Sequence, residues 1–408
     1  MSALVTASTA PKGMRRVEIV FILGALTAFA PLSIDMYLPS LPTLERYFHA
    51  SAGDVELTMS TFFVGFSLGQ SLYGPLADRF GRKPPLLIGM LLYVLASVAC
   101  ALAPSAQTMA VFRLVQAIGA CSGAVIARAM VRDLFPPEET RKVYSSLLLV
   151  MGVAPLVAPL VGGYLLVWLG WQAAFWLLAG GGVLAVVGAW LRLPESHADR
   201  HPLSFSHVFS TYKGLLKDPV FLGATLATGF SSAGMFAYIT GAPFVFMNIY
   251  GVRPERFGWL IALNALAVVG SAQVNGRVFH GHHPARLMRN AALVQCAAGV
   301  LLMVAALVRV PQLAGVGAPL WMYLASVGFV FPNAVALAMA HHGRNAGMAS
   351  ALLGTIQFSM AAVATIIMGA VNSTTAMPMA AIIGACGTMA VGTHLLLLGR
   401  PERPPRLG

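Results

Sequence analysis

The chain has 408 residues, of which 58% are hydrophobic and only 10% charged, with a formal net charge of +12. A soluble domain carries about 25% charged residues, so a water-soluble core cannot absorb this composition, whereas a lipid bilayer can. The basic residues are scattered singly and in small groups between apolar runs, which excludes the single cationic surface that nucleic-acid binding needs.

A spanning helix takes roughly 20 mostly apolar residues. Twelve such runs start near residues 17, 55, 85, 108, 143, 170, 219, 256, 287, 319, 346 and 376. Every backbone polar group must be satisfied inside the bilayer. The expected fold is therefore an all-α membrane protein of 12 transmembrane helices in two pseudo-symmetric six-helix halves. Residues 1–16 form an N-terminal tail, 17–191 the first half, 192–218 a polar central linker, 219–397 the second half and 398–408 a C-terminal tail. In transporters of this layout the substrate site lies between the halves near the midplane. With the N-terminus inside, cytoplasmic segments hold twenty basic residues and outer segments four. The positive-inside bias then places both termini in the cytoplasm.

The first run is read as a span, not a cleaved leader. Ala28-Phe29-Ala30 resembles a cleavage site, but Pro31 would follow the cut. Glu18 falls at the inner end of this span and reads as a solvated interface charge. The span closes in PLSIDMYLPSLP, residues 31–42, whose one carboxylate is Asp35. Between spans two and three runs GPLADRFGRKPPLL. Gly74 and Gly81 allow close approach and a tight turn, Asp78 ends one helix, and Arg79, Arg82 and Lys83 form a cationic hinge. Asp133, at the inner end of span four, is placed to pair with Arg82; helix capping and a topology signal is the other reading.

Span four carries Arg113 and Gln116. Asp35 lies 19 residues beyond Arg16, and Arg113 lies 19 residues before Arg132. At about 1.5 Å per residue both sit at the same depth, roughly 28 Å from the inner boundary. Burial favours the protonated carboxyl, and a neighbouring guanidinium favours the carboxylate. The pair therefore reads either as a proton switch or as two interfacial groups reaching for water. Between Asp218 and Glu402 the only acid is Glu255, in an outer loop. That leaves Asp35 as the expected single deep carboxylate.

Span five holds MGVAPLVAPLVGGYL, in which Pro155 and Pro159 are expected to kink the helix. Gly152, Gly162 and Gly163 permit close packing, with or without a transport role. In the second half NGRVFHGHHPARLM is at most a degraded copy of the first loop and has no acid. His282, His283, His341 and His342 read as solvated loop residues, and the four cysteines as small core residues. Polar or aromatic candidates for a mostly apolar drug pocket are Tyr37, Gln116, Tyr238, Asn248, Asn333, Gln357 and Phe358. Each also reads as a helix-packing residue.

G-x-L-A-D-x-x-G-R-K between the second and third of twelve spans resembles the loop motif of the major facilitator superfamily. R-L-V-Q-A-I-G in span four resembles that family's R-x-x-Q-G/A-x-G segment. The span-five element is similar to its antiporter motif, with Ala154 in place of a glycine before Pro155. SIDMYLPSLP, FAYITGAPFVFMNIYG, GFVFPNAVALAM and GMASALLGTIQFS resemble the Bcr/CflA group, which exports bicyclomycin and chloramphenicol. The resemblance covers essentially the whole chain. It implies proton coupling through Asp35 and Arg113, an inner latch at the loop, and drug antiport; the single deep acid, which leaves no spare anion for a cationic drug, makes small neutral or zwitterionic compounds the expected substrates. It implies no cofactor beyond the proton gradient. The expected partners are a drug, protons and the bilayer, with no nucleic acid, for a monomer in the bacterial inner membrane. A metabolite exporter would share every motif, and a non-transporting receptor could share the span count. No nucleophile–base constellation or nucleotide motif points to an enzyme or an ATP-driven pump.

Overall fold

The computed structural model describes residues 13–196, 205–279, 281–340, 342, 346–371 and 375–398. Lys12, His341, Arg344 and the C-terminal basic tail lie outside the described residues. The first half comprises α1 Gly13–Asp35, a short α2 Leu41–Phe48, α3 Ala52–Phe80, α4 Lys83–Ala101, α5 Ala106–Leu134, α6 Pro137–Leu169 and α7 Gln172–Arg192. α8, Phe205–Lys217, lies in the linker. The second half comprises α9 Pro219–Pro243, α10 Pro254–Val278, α11 Pro284–Leu307, α12 Leu313–Met339, α13 Ala346–Ala370 and α14 Met377–Thr393. Without α2 and α8, twelve helices of membrane length remain. The face where α1 begins and α14 ends is called here the terminal face, and the opposite one the distal face.

Local chemistry sets the helix starts. Ser51 and Asp54 form a reciprocal capping box at α3, which satisfies two otherwise orphaned N–H groups. Ser105 caps α5 through the Thr108 N–H. Proline occupies the first turn of α6, α9, α10 and α11, where its missing N–H costs nothing. α6 runs as one 33-residue helix through both Pro155 and Pro159.

Eleven of the twelve helices are apolar enough to qualify as spans by composition alone, and α3 is not among them. Its position supplies the reason. α3 packs between α5 and α13, and within the bundle its polar side chains meet protein while Leu57, Leu68 and Leu72 make its exposed side. Thr58 meets Tyr37, while Ser67 and Ser71 meet α13. A helix shielded from lipid on both flanks does not need a lipid-like sequence.

The halves meet along two seams, α3 against α13 and α6 against α10. Along the first, Gly369 lies against the Gly53 carbonyl near the distal face. Farther in, Ser67 Oγ lies 2.8 Å from Ser359 Oγ, and Ser71 Oγ lies 2.8 Å from Thr355 Oγ1. Along the second, Gly163 lies against the Pro254 carbonyl, Gly258 against Pro159 and Leu160, and Gly152 against Val269. Between α1 and α6, contact runs from Met36–Gly162 to Gly24–Val150. Closer to the terminal face those two helices part around a cleft of about 620 Å³, with Arg16 and Lys142 among its lining.

Candidate functional site

Asp35 is the last residue of α1. Pro39 and Pro42 follow, and the chain turns through Leu38–Ser40 into α2. This turn packs on α6, α9 and α10, so the acid stands where the two halves cross. Asp35 is 5% exposed. Among the described residues it has no ion pair or hydrogen-bonded side chain, and it lies within electrostatic reach of Tyr238 on α9. The Tyr238 hydroxyl accepts a 2.8 Å hydrogen bond from Asn264 Nδ2 on α10.

Arg113 is fully buried, at the depth expected for it, beside the end of α1. Its partners are not the expected ones. Nη1 donates to the Ser33 carbonyl at 3.0 Å and to Gln116 Oε1 at 2.7 Å, and Nη2 lies 3.5 Å from Met59 Sδ. The guanidinium carbon stands 4.3 Å from the Phe62 ring centroid and 4.7 Å from that of Tyr37. Aromatic faces carry partial negative charge, so a cation without a carboxylate is stabilised by two oxygens and two rings. The Nε atom is buried without a partner.

Two expected pocket residues are engaged in this assembly. Gln116 bridges Arg113 to Ser97 Oγ, to which its Nε2 donates at 2.8 Å. The Tyr37 hydroxyl is paired with Thr58 Oγ1 at 2.8 Å. Asn248 is exposed in the π-helical turn Phe244–Ile249 that follows α9 and packs on α2. Asn333 Nδ2 donates to Asn275 Oδ1 at 2.9 Å and to the Phe329 carbonyl. Gln357 is half-buried on α13. Phe358 joins Phe66 and Phe236, with centroids 4.5 and 5.7 Å away, in an aromatic cluster across the halves.

At the terminal face Arg82 donates from Nη1 to Asp78 Oδ1 at 2.6 Å and from Nε to Asp133 Oδ2 at 2.9 Å. Burial works against its charge, but Asp133 and Asp78 outweigh burial and hold its proton more tightly than usual. Glu195, which sequence reasoning missed, completes this latch. Its carboxylate accepts from the backbone N–H of Arg82 at 2.7 Å and of Lys83 at 3.1 Å, where α4 starts with unpaired N–H groups. Ser196 Oγ donates to Asp133 at 3.0 Å. The ends of α3, α4, α5 and α7 are thus tied together. Gly81 has φ +90 and lies against Glu195, a conformation essentially reserved for glycine. Lys83 Nζ donates to the Trp190 carbonyl, and Arg79 stacks on Phe80. Gly74 has nothing near the position a Cβ would take. The signal for Glu195 was an acid three residues beyond the end of α7, in the polar central linker.

Two further expectations are corrected. His342 is not a free loop residue, because its Nε2 lies 2.8 Å from Asp218 Oδ2. His283 caps α11 by accepting from the Ala285 N–H. Asp35 is also not the single buried carboxylate, since Glu56 on α3 is 8% exposed. It stands one turn from the start of α3, and Gly369 of α13 covers it.

Twelve packed helices in two halves, with ionisable groups held at their crossing, define a membrane transporter. The solved D-xylose–proton symporter superposes with a TM-score of 0.73 at 15% identity, covering 93% of this chain and 97% of that one. The model of the Major Facilitator Superfamily matches residues 23–365, and the chain belongs to that family. Within it the chain falls in the Bcr/CflA group. It is 38% identical to an uncharacterized MFS-type transporter, YdgK, of Bacillus subtilis, covering 91% of this chain and 93% of that one. It is 30% identical to a bicyclomycin resistance protein homolog of Haemophilus influenzae, covering 93% and 96%. Against a chloramphenicol resistance protein of Pseudomonas aeruginosa it is 31% identical, covering 91% and 89%.

Proposed function

We propose that this transporter is a proton-driven efflux antiporter that exports small neutral or zwitterionic amphiphiles. It works as a monomer in the bacterial cytoplasmic membrane, with both termini and the terminal face inside. The halves divide at the central linker, residues 192–218. One observation carries the reading: Asp35 is a buried acid at the crossing of the halves, within electrostatic reach of Tyr238 of the opposite half. An intramembrane carboxylate in such a place marks an ion pathway. The resistance relatives supply the drug class.

Asp35 takes a proton while the site opens outward and gives it up when the site opens inward. Arg113 supplies a fixed positive potential at the same end of α1, through Ser33, without neutralising the acid. Rocking that changes the distance between them changes the proton affinity of Asp35. The protonated site releases drug outside. The Arg82–Asp78–Asp133–Glu195 latch acts as the inner gate. One charge crossing about 150 mV supplies about 3.5 kcal/mol, which sustains a drug gradient of about two to three decades. A single proton per cycle is sufficient. With one acid at this site, which must lose its charge to release drug, no anion is left over for a dication. That favours neutral and zwitterionic substrates.

The test is drug transport in proteoliposomes with an imposed pH gradient. Wild type should move phenicol-type compounds uphill, and Asp35→Asn should exchange them only downhill. Uphill transport by Asp35→Asn with an undiminished response to the gradient would overturn the assignment.

A further inference from the structure

Glu56 is a second buried carboxylate, at the distal end of the α3–α13 seam and outside the Asp35–Arg113 assembly. It lines a cavity of about 20 Å³ with Ala52, Gly53, Phe244, Met368 and Gly369, room for one water molecule. Its Oε2 lies 3.6 Å from where a Cβ on Gly369 would stand, so the acid is pressed against the backbone of the opposite half. No described wall of the crevice offers a counter-charge. The residues of α13, the Phe244 turn and the start of α14 that line it carry no charge. Asp54, on the same helix, is committed to the cap with Ser51. Arg46 turns back to Pro42 and Thr43 of its own helix. Glu45 of α2 is the charged group that bears on Glu56, and it has the same sign. Among the described residues the Glu56 carboxyl has no hydrogen-bonded or ionic partner; its backbone carbonyl accepts from Ser60 Oγ.

We infer that Glu56 is a proton-binding site that gates the distal face: the α3–α13 seam closes over it only when its carboxyl carries a proton. An ionised carboxylate cannot be taken from water into an apolar crevice beside a second acid without a partner. When the seam opens, Glu56 meets water on the distal side and can ionise. When it closes, a proton from that same side goes in with it. The balance is one O–H bond formed on the carboxylate at closing and broken at opening, with the proton returned to the side it came from. Glu56 therefore moves no net proton across the membrane. It makes closure respond to distal pH, whatever ion drives transport, and so goes beyond the antiport reading.

The experiment places a cysteine at Thr375, which lines the cavity, in the full-length protein in proteoliposomes. A membrane-impermeant maleimide is applied from the distal side at pH 5.5 to 8, and each rate is divided by that of the same cysteine in the denatured protein at that pH, which removes the pH dependence of the thiolate itself; the parent protein gives the background. Labelling of Thr375→Cys should rise with pH, by at most about tenfold per pH unit, the limit for a single linked proton. Adding Glu56→Gln should give low, flat labelling, because the amide is neutral at every pH. Adding Val371→Lys at the crevice rim, which offers a counter-charge, should flatten the rise and level it off at lower pH, since the closed seam then tolerates the carboxylate and closing takes up less of a proton. That arm keeps the test decisive if Glu56→Gln folds poorly. Flat labelling in Thr375→Cys alone, or an unchanged pH response in both double variants, would overturn the inference. Protons exchanged per drug should stay the same in Glu56→Gln and change in Asp35→Asn, which separates this site from the proposed coupling site.

Discussion

Arg113 reaches the end of α1 through the backbone carbonyl of Ser33, at 3.0 Å, and not through the carboxylate of Asp35 two residues on. The guanidinium fork divides Nη1 between that carbonyl and Gln116, while the plane rests near Phe62 and Tyr37. An ammonium has neither the fork nor the planar face. Arg113→Lys should therefore lower uphill transport by at least about tenfold despite its retained charge. Each hydrogen bond to a charged group contributes about 1.5–3 kcal/mol, so a clear drop in melting temperature in detergent should accompany the loss. An Arg113→Lys protein with normal transport would show that only the charge matters.

Glu195 is expected to hold the latch in shape. Glu195→Ala leaves the part-buried N–H of Arg82 without its acceptor, at about 1–3 kcal/mol, while water can reach the exposed N–H of Lys83. It should reduce both thermal stability and transport. Gly81→Ala should cost about 1–3 kcal/mol through backbone strain, with a further clash against the Glu195 carboxylate. Thermal unfolding and transport assays on both variants check this. Asp133→Asn keeps the shape and removes one charge, so its effect should be larger on transport than on melting.

The glycines of span five and of the first loop should behave differently. A Cβ at Gly162 would strike the Met36 carbonyl, whereas one at Gly74 would meet open space. Gly162→Val should destabilise the protein by about 1–3 kcal/mol, the usual cost of overpacking. Gly74→Ala should change stability by less than about 0.5 kcal/mol. If Gly74→Ala nonetheless blocks transport, the close approach it prevents belongs to another conformation of the cycle.

Ser67 and Ser359 face each other across the α3–α13 seam, with their hydroxyl oxygens 2.8 Å apart. That spacing brings a Cys pair there near disulfide geometry. Ser67→Cys with Ser359→Cys should cross-link under mild oxidation and stop transport, and a reductant should restore it. The native cysteines are the control, since Cys100, Cys121 and Cys386 are buried. Transport that continues in the cross-linked protein would mean that this seam does not open during the cycle.

Much of the molecule could be read from the chain. The twelve spans follow from apolar length, and even α3 was recognised from its run although its polar face keeps it below the composition of its neighbours. The Asp78–Arg82–Asp133 cluster was legible because its members lie at helix ends, where sequence position alone brings them to one face. Glu195 was harder, since an acid just past a helix end gives no sign of which neighbouring helix start it will cap.

What the sequence determined by itself is axial: how many helices cross, how deep each ionisable group sits, and which family motifs lie on which span. Depth follows from counting, because each helical residue advances about 1.5 Å. What only the tertiary structure decided is azimuthal: which way each group turns about its helix axis and what stands there. That is why Arg113 was placed at the right depth with the wrong partner, and why Tyr37 and Gln116 proved to be committed to an internal network. It is also why nothing along the chain marked Glu56, which α13 buries. Rotation about an axis is set by packing against neighbouring helices, and no count along a single helix contains it.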